Sequence, residues 1–362
     1  MNIDNIVFLL GAGASKEAGL KTSDEMTKAL EQRLDTDWGD YKKLYNAVKA
    51  GILYGSALRG NPRTTVNIEE FVNVLTELSQ CKDHVIFPFI ASWNMELMET
   101  AGRDFERIGK FRDDIIQVLV NEWVNLQDPT TAQYYTNLLK FATDIGTNLR
   151  VFSLNYDTCV EKACLRDQVF TGFLYQAGRA GRPWNDRAMR SDNLSDAPLR
   201  LYKLHGSVDW REENGVVVSY ESPNKCNDAS KYQLIFGTTN KLRYADPYLV
   251  LLSEFRNLTA DAKLIVCIGY DFQDEHINGI LHNAFAKEAK TTLLMVSWAP
   301  ESGREQKMTS ERKRVAKQLN VKESFIQVSL VGAKAFMENL KYLKWKPSWQ
   351  GKIFHSDIGG QK

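Results

Sequence analysis

Ile6-Val7-Phe8-Leu9-Leu10-Gly11-Ala12-Gly13-Ala14-Ser15 is the stretch from which the fold is read. Five apolar residues in a row match a strand buried on both faces of a parallel sheet. Glycine follows at once, so the chain can turn tightly and open a short helix capped by Ser15 and ended by Gly19. Thr22 or Ser23 then caps a second helix running to about Leu34. Backbone N–H groups at such a strand-to-helix turn offer an anion donors and a positive dipole end. The full G-x-G-x-x-G signature is not met, because Lys16 stands where the third glycine belongs. A tight turn with no ligand is the other reading of this segment.

Working outward, the pattern changes between about 38 and 148. Apolar residues recur at helical spacing in Ile68–Leu78, Phe111–Leu126 and Tyr134–Ile145, so this part reads as a mainly helical insertion. Strand signals return at Leu149–Leu154, followed by a helix from Thr158 to about Leu165 and a further strand at Leu199–Leu204. Arg179–Asp196, rich in Gly, Arg, Asn and Asp, reads as a loop. Val208–Trp210 and Val216–Val218 read as a hairpin around Asn214-Gly215. From Leu234 strands and helices alternate, with strands at 234–236, 263–268, 292–297 and 324–328. The fold class that follows is α/β: a doubly wound, mostly parallel Rossmann-like sheet with a large mainly helical insertion. The domains expected are 1–37 with 149–344 for nucleotide binding, 38–148 for the insertion, and 345–362 as a tail.

Composition excludes more than it selects. Positive and negative side chains number 46 and 45, so no global field favours nucleic acid or a membrane surface. Cys81, Cys159, Cys164, Cys226 and Cys267 form no C-x-x-C pair, which argues for reduced packing thiols and no zinc site. The apolar run at 6–10 is too short for a signal segment or a span, so a soluble cytoplasmic protein is expected. No G-x-S-x-G elbow of a serine hydrolase is present. The four arginines of 179–190 read as a solvated loop, so direct nucleic-acid binding is not indicated.

The polar residues at strand ends remain. Asn155 and Asp157, two apart after the Leu149–Leu154 strand, can face one crevice and grip a carboxamide or orient a ribose or water. Asp157 can equally cap the following helix. His205, with Gly206 beside it, can take a proton from a hydroxyl or water, or serve as a packed residue. Gly237-Thr238-Thr239-Asn240 and Gly269-Tyr270-Asp271 are two more strand-to-glycine ends whose donors can hold phosphate or ribose oxygens.

Taken in this order, Gly11-Ala12-Gly13-Ala14-Ser15, Asn155-Tyr156-Asp157, His205-Gly206, Gly237-Thr238-Thr239-Asn240 and Gly269-Tyr270-Asp271 resemble the sirtuin family. The resemblance implies NAD as substrate. The first loop would wrap the pyrophosphate, Asn155 and Asp157 would reach the nicotinamide and its ribose, and His205 would act as base. The later turns would hold phosphate, ribose and adenine. Deacylase sirtuins carry a zinc ribbon with two C-x-x-C pairs, which this chain lacks, and the fourth turn here ends in Thr-Asn. These departures resemble the bacterial sirtuin-like subfamily of antiphage defence, which hydrolyses NAD. That likeness implies a homo-oligomer and a defence partner such as an ATPase, a helicase or a sensor. A deacylase or ADP-ribosyltransferase, or a non-catalytic module sensing NAD or ADP-ribose, are the alternatives.

Overall fold

The computed structural model describes residues 6–80, 99–102, 105–190, 196–221, 226, 228–236, 246–287 and 291–340. Its strands in chain order begin with β1 (Ile6–Leu10), β2 (Leu149–Ser153), β3 (Val169–Phe170), β4 (Arg182–Pro183), β5 (Leu199–Lys203) and β6 (Gly206–Glu213). They continue with β7 (Val216–Ser219), β8 (Tyr232–Leu234), β9 (Leu264–Ile268), β10 (Thr292–Val296) and β11 (Ile326–Ser329). Seven of them form one sheet in the order β11-β10-β9-β1-β2-β5-β3, and every pairing in it is parallel. The chain leaves β1 towards β2 on one side and returns to β9 on the other. That reversal beside β1 is where an open α/β sheet forms a ligand crevice.

The apolar run of β1 is buried throughout because both faces of the sheet are covered. Val7 and Leu9 pack with the helices Tyr248–Ala260, Glu275–Lys287 and Arg304–Leu319. Ile6, Phe8 and Leu10 point the other way, into a layer built from Tyr134, Leu138, Phe141, Val160 and Phe336. The fold is therefore the doubly wound α/β class expected from the alternation.

A third apolar cluster gathers the helices Ser23–Asp35, Lys42–Leu58, Ile68–Ser79 and Glu106–Val118 around the fully buried Phe111. Thr22 starts the first of these with a capping box, its hydroxyl accepting from Glu25 N while Glu25 receives Thr22 N at 2.9 Å. Past Val118 the chain continues as a π-helical turn, Leu119–Trp123. The same cluster takes in Tyr156, Val208, Tyr232 and Phe236, so the helical layer rests on the edge of a second sheet. Helix Thr136–Ile145, by contrast, packs on the parallel sheet.

The second sheet is antiparallel, in the order β4-β7-β6-β8. Its hairpin turns through Asn214 (φ 52°) and Gly215 (φ 79°), the left-handed pair that the Asn-Gly signal calls for. Two expectations differ here. Leu234 ends β8 of this sheet and is not part of the parallel alternation, because β8 pairs with β6. Arg179–Asp196 is not purely loop. It contains β4 and a short helix, Asp186–Arg190, held by Asn185 Oδ1 accepting from Ala188 N at 2.9 Å. Among the described residues no helix is long and apolar enough to cross a membrane.

Candidate active site

The carboxyl ends of β1, β2, β5 and β9 open into one cavity of about 870 Å³. Its lining includes Gly11, Ala12, Gly13 and Ser15 from the first turn, Asn155 and Asp157 after β2, His205 after β5, and Gly269, Tyr270 and Asp271 after β9. Ala14 lies behind the wall, its carbonyl accepting from Tyr134 OH at 2.6 Å. Gly237, Thr238, Thr239 and Asn240 fall outside the described residues. They follow β8 of the second sheet, and so not a strand of the parallel one.

The glycines of the first turn serve the scaffold as well as the cavity. Gly11 N donates to Ile268 O (2.9 Å) and Gly13 N to Gly269 O (3.0 Å), stitching the ends of β1 and β9 together. A Cβ on Gly11 would lie 2.6 Å from the Gly269 carbonyl, and one on Gly13 would lie 2.9 Å from Gly269 Cα. Ala14 N and Ser15 N donate back to Gly11 O and Ala12 O, closing the turn as a 3-10 helix. Ser15 makes no capping bond with its side chain, contrary to expectation. Its hydroxyl is buried and used elsewhere: it accepts from Asn155 Nδ2 at 3.1 Å and lies 2.9 Å from Tyr135 OH. Burial pushes the Tyr135 phenol well above its ordinary value, so the hydroxyl stays protonated.

Asn155 is thereby fixed. Its amide nitrogen is committed to Ser15, while Oδ1 is buried with no hydrogen-bond partner among the described residues. A buried amide oxygen left in that state is costly without a ligand or a water to satisfy it. Asp157 does cap the short helix Cys159–Ala163, its Oδ1 accepting from Cys159 N at 2.9 Å. Behind it, buried Lys203 donates to the Asp157 carbonyl and stands 3.6 Å from Glu161.

His205 is buried at the β5–β6 turn, where its carbonyl accepts from Ile235 N at 3.0 Å. Gly206 has φ 80°, and a Cβ there would run into the Gln233 carbonyl of β8. The glycine of the His-Gly pair is therefore demanded by the passage of β8, whatever binds at the histidine. His205 Nε2 lies 3.2 Å from Asp274 Oδ2. Asp274 was not singled out from the sequence, although Asp before a helical run is a readable cap signal. What the sequence does not carry is that the cap meets a histidine from another strand. The helical layer also reaches the cavity, through Arg63, Asn67, Glu69 and Asn73. Those residues were missed because helical spacing reports the apolar face and says nothing of what the polar face meets.

Residues 149–323 match the family model described as the SIR2-like domain. That stretch is similar to the SIR2-like family. It takes in Asn155, Asp157, His205 and the Gly269 turn, and begins beyond the glycine loop. The match supports a sirtuin-like, NAD-dependent enzyme in general terms. Among solved structures, the chain is similar to a Sir2 homologue in complex with NAD, at 14% identity and a TM-score of 0.42, covering 92% of this chain and 87% of that one. It is also similar to Sir2Tm bound to a propionylated peptide, at 12% identity and a TM-score of 0.36, covering 92% and 91%. No curated protein matches the chain. Among the described residues no three His, Cys, Asp or Glu side chains come together as a metal site.

Proposed function

We propose that the SIR2-like chain is an NAD+ glycohydrolase, splitting the nicotinamide–ribose bond to release nicotinamide and ADP-ribose. The observation that carries this reading is the state of Asn155, which lines the same cavity as His205, braced through Nδ2 and with its buried Oδ1 without a hydrogen-bond partner among the described residues. An amide oxygen so held can accept a hydrogen bond from a water or from a ribose hydroxyl and fix its direction. The cavity volume falls in the range of small-molecule and cofactor sites, about 300–1,000 Å³.

In the reaction the C1′–N bond of the nicotinamide riboside breaks and its electron pair leaves with nicotinamide. The oxocarbenium-like centre is met by water, whose oxygen forms the new C1′–O bond while one of its protons passes to the imidazole of His205. Asp157, braced by Cys159 N–H, receives the carboxamide. The Gly11–Ser15 turn and the Gly269-Tyr270-Asp271 turn seat the phosphates and the adenosine ribose. The absence of any C-x-x-C pair in the sequence favours water over an acyl-lysine as acceptor, since the deacylases carry a zinc ribbon. In a cell such an enzyme would deplete NAD in antiphage defence, working as a homo-oligomer with a triggering partner.

The test is incubation with NAD alone. Nicotinamide and ADP-ribose should appear in equal amounts without any peptide, and His205→Ala and Asn155→Ala should each abolish turnover while circular dichroism stays that of the wild type. Product formed only when an acylated peptide is added would replace this reading with a deacylase. Tight NAD binding with no product would make the chain a sensor.

A further inference from the structure

We propose that Asp274 is the positioning residue of His205, fixing the orientation of its ring and the nitrogen that carries its proton. The inference rests on the reaction proposed above only for the meaning of the pair, since the pair itself is geometric.

Asp274 ends the turn that follows β9 and caps helix Glu275–Lys287. One carboxylate oxygen, Oδ1, accepts from His276 N at 3.0 Å and Ile277 N at 3.3 Å. Those bonds already meet everything a cap requires. The other oxygen, Oδ2, is turned away from the helix and lies 3.2 Å from His205 Nε2, with both side chains 6% exposed. Two N–H donors and the positive end of a 13-residue helix favour the anionic carboxylate despite its burial. An ionised carboxylate only accepts hydrogen bonds, so the facing ring nitrogen must carry the proton. The neutral ring is then the Nε2–H tautomer, with the lone pair on Nδ1, and the imidazolium formed after proton transfer stands against a fixed negative charge.

The turn is itself held rigid. Tyr270 OH donates to the Asp274 carbonyl at 3.2 Å and lies 2.9 Å from Asn278 Oδ1, while Asn278 Nδ2 donates to Phe272 O at 2.7 Å. Other titratable groups come near from three further elements. The Tyr156 ring after β2 is 6.5 Å from the His205 ring, centroid to centroid, and Tyr248 of helix Tyr248–Ala260 stands beside Gly206. Glu69 of helix Ile68–Ser79 acts on Tyr156 together with Asp274. Burial keeps the Tyr156 phenol protonated, so Asp274 and Glu69 are the charged carboxylates among these groups, and Asp274 is the one 3.2 Å from the ring nitrogen.

Asp274→Asn separates the cap from the charge, because Asn caps helices as well as Asp. Its thermal unfolding should match the wild type. For NAD cleavage, kcat/KM should fall by about 10²-fold or more, mostly in kcat, and the acid limb of the pH profile should move to lower pH. Asp274→Glu should restore part of the rate. A readout independent of turnover is the nitrogen NMR spectrum of histidine-labelled protein. It should give the Nε2–H tautomer for His205 in the wild type, and a lower titration midpoint for His205 in Asp274→Asn. A His205 tautomer and midpoint unchanged by Asp274→Asn would overturn the proposal. A wild type that leaves NAD intact while His205 still responds to Asp274→Asn would overturn the NADase reading and leave the positioning role standing.

Discussion

Ser15 shows how a residue chosen for one reason acts for another. Its place after the glycine turn suggests a helix cap, yet its hydroxyl links Asn155 Nδ2 to Tyr135 OH inside the protein. Replacing it by Ala leaves an amide and a phenol without that partner, at a cost of about 1–3 kcal/mol in urea unfolding. The same change frees the Asn155 amide to rotate, so NAD turnover should fall in kcat more than in KM. Ser15→Ala with wild-type kcat would show that Asn155 is held by something else. Glu161 carries a second effect at this scale. Burial outweighs the attraction of Lys203 and lifts its carboxyl from 4.5 to about 7. The folded state then holds a proton that the unfolded chain has lost between those values, so stability is full below pH 4.5 and declines as the pH rises towards 7. Glu161→Gln should flatten that decline, as read from urea midpoints at pH 5 and pH 7. An equally steep decline in the variant would assign the pH dependence to another group.

At the scale of elements, the strand ends are interlocked before any ligand arrives. Gly269 has φ 66°, and a Cβ there would overlap the backbone of Gly13 and Ala14. Gly146, closing helix Thr136–Ile145 at φ 68°, has nothing within 4 Å of the same added carbon. The two positions share a left-handed backbone and differ only in space. Gly146→Ala should therefore cost about 1–2 kcal/mol. Gly269→Ala should cost about 4 kcal/mol or more, because the turns of β1 and β9 must move apart. Equal costs, measured by urea unfolding, would remove the interlock from the account. The same contrast explains what the sequence could and could not reveal. The five apolar residues of β1 and the alternation after residue 263 announce a two-sided parallel sheet, because burial on both faces leaves no polar position. The glycines after β1 and β9 were legible as turns. Their mutual contact was not, because it joins segments more than two hundred residues apart. Asp274 was hidden for the same reason: its local pattern is that of a helix cap, and its second oxygen acquires a role only when β5 and β9 lie in one sheet. β8 was misassigned to the parallel sheet because a short apolar strand reads alike in both sheets.

At the scale of the molecule, the helical layer is joined to the site by apolar packing. Phe111 stacks on Tyr41 at 4.4 Å between centroids and meets Trp38 and Phe71 edge-on. The cluster around it continues without a break to Val208 of β6 and to Tyr156, the residue between Asn155 and Asp157. Tyr156 is tied in turn to the second sheet, its hydroxyl donating to Ile235 O at 2.7 Å and its carbonyl accepting from Val208 N at 2.9 Å. A layer that shares its core with the site's own strand end cannot open without loosening that end. Hydrogen exchange in moderate urea should therefore give helices Ile68–Ser79 and Glu106–Val118 the same opening free energy as β6. Phe111→Ala should lower all three together by about 3–5 kcal/mol, the cost of emptying a buried aromatic position. The strands β9 to β11 belong to the two apolar clusters on the faces of the parallel sheet and should keep their own, higher protection if those cores open separately from the helical one. Helices that exchange in the variant while β6 retains its wild-type protection would make the layer an independent unit. In that case its lining of the cavity would arise from docking between two separately folded parts, and Asn155 would have to be held by Ser15 alone.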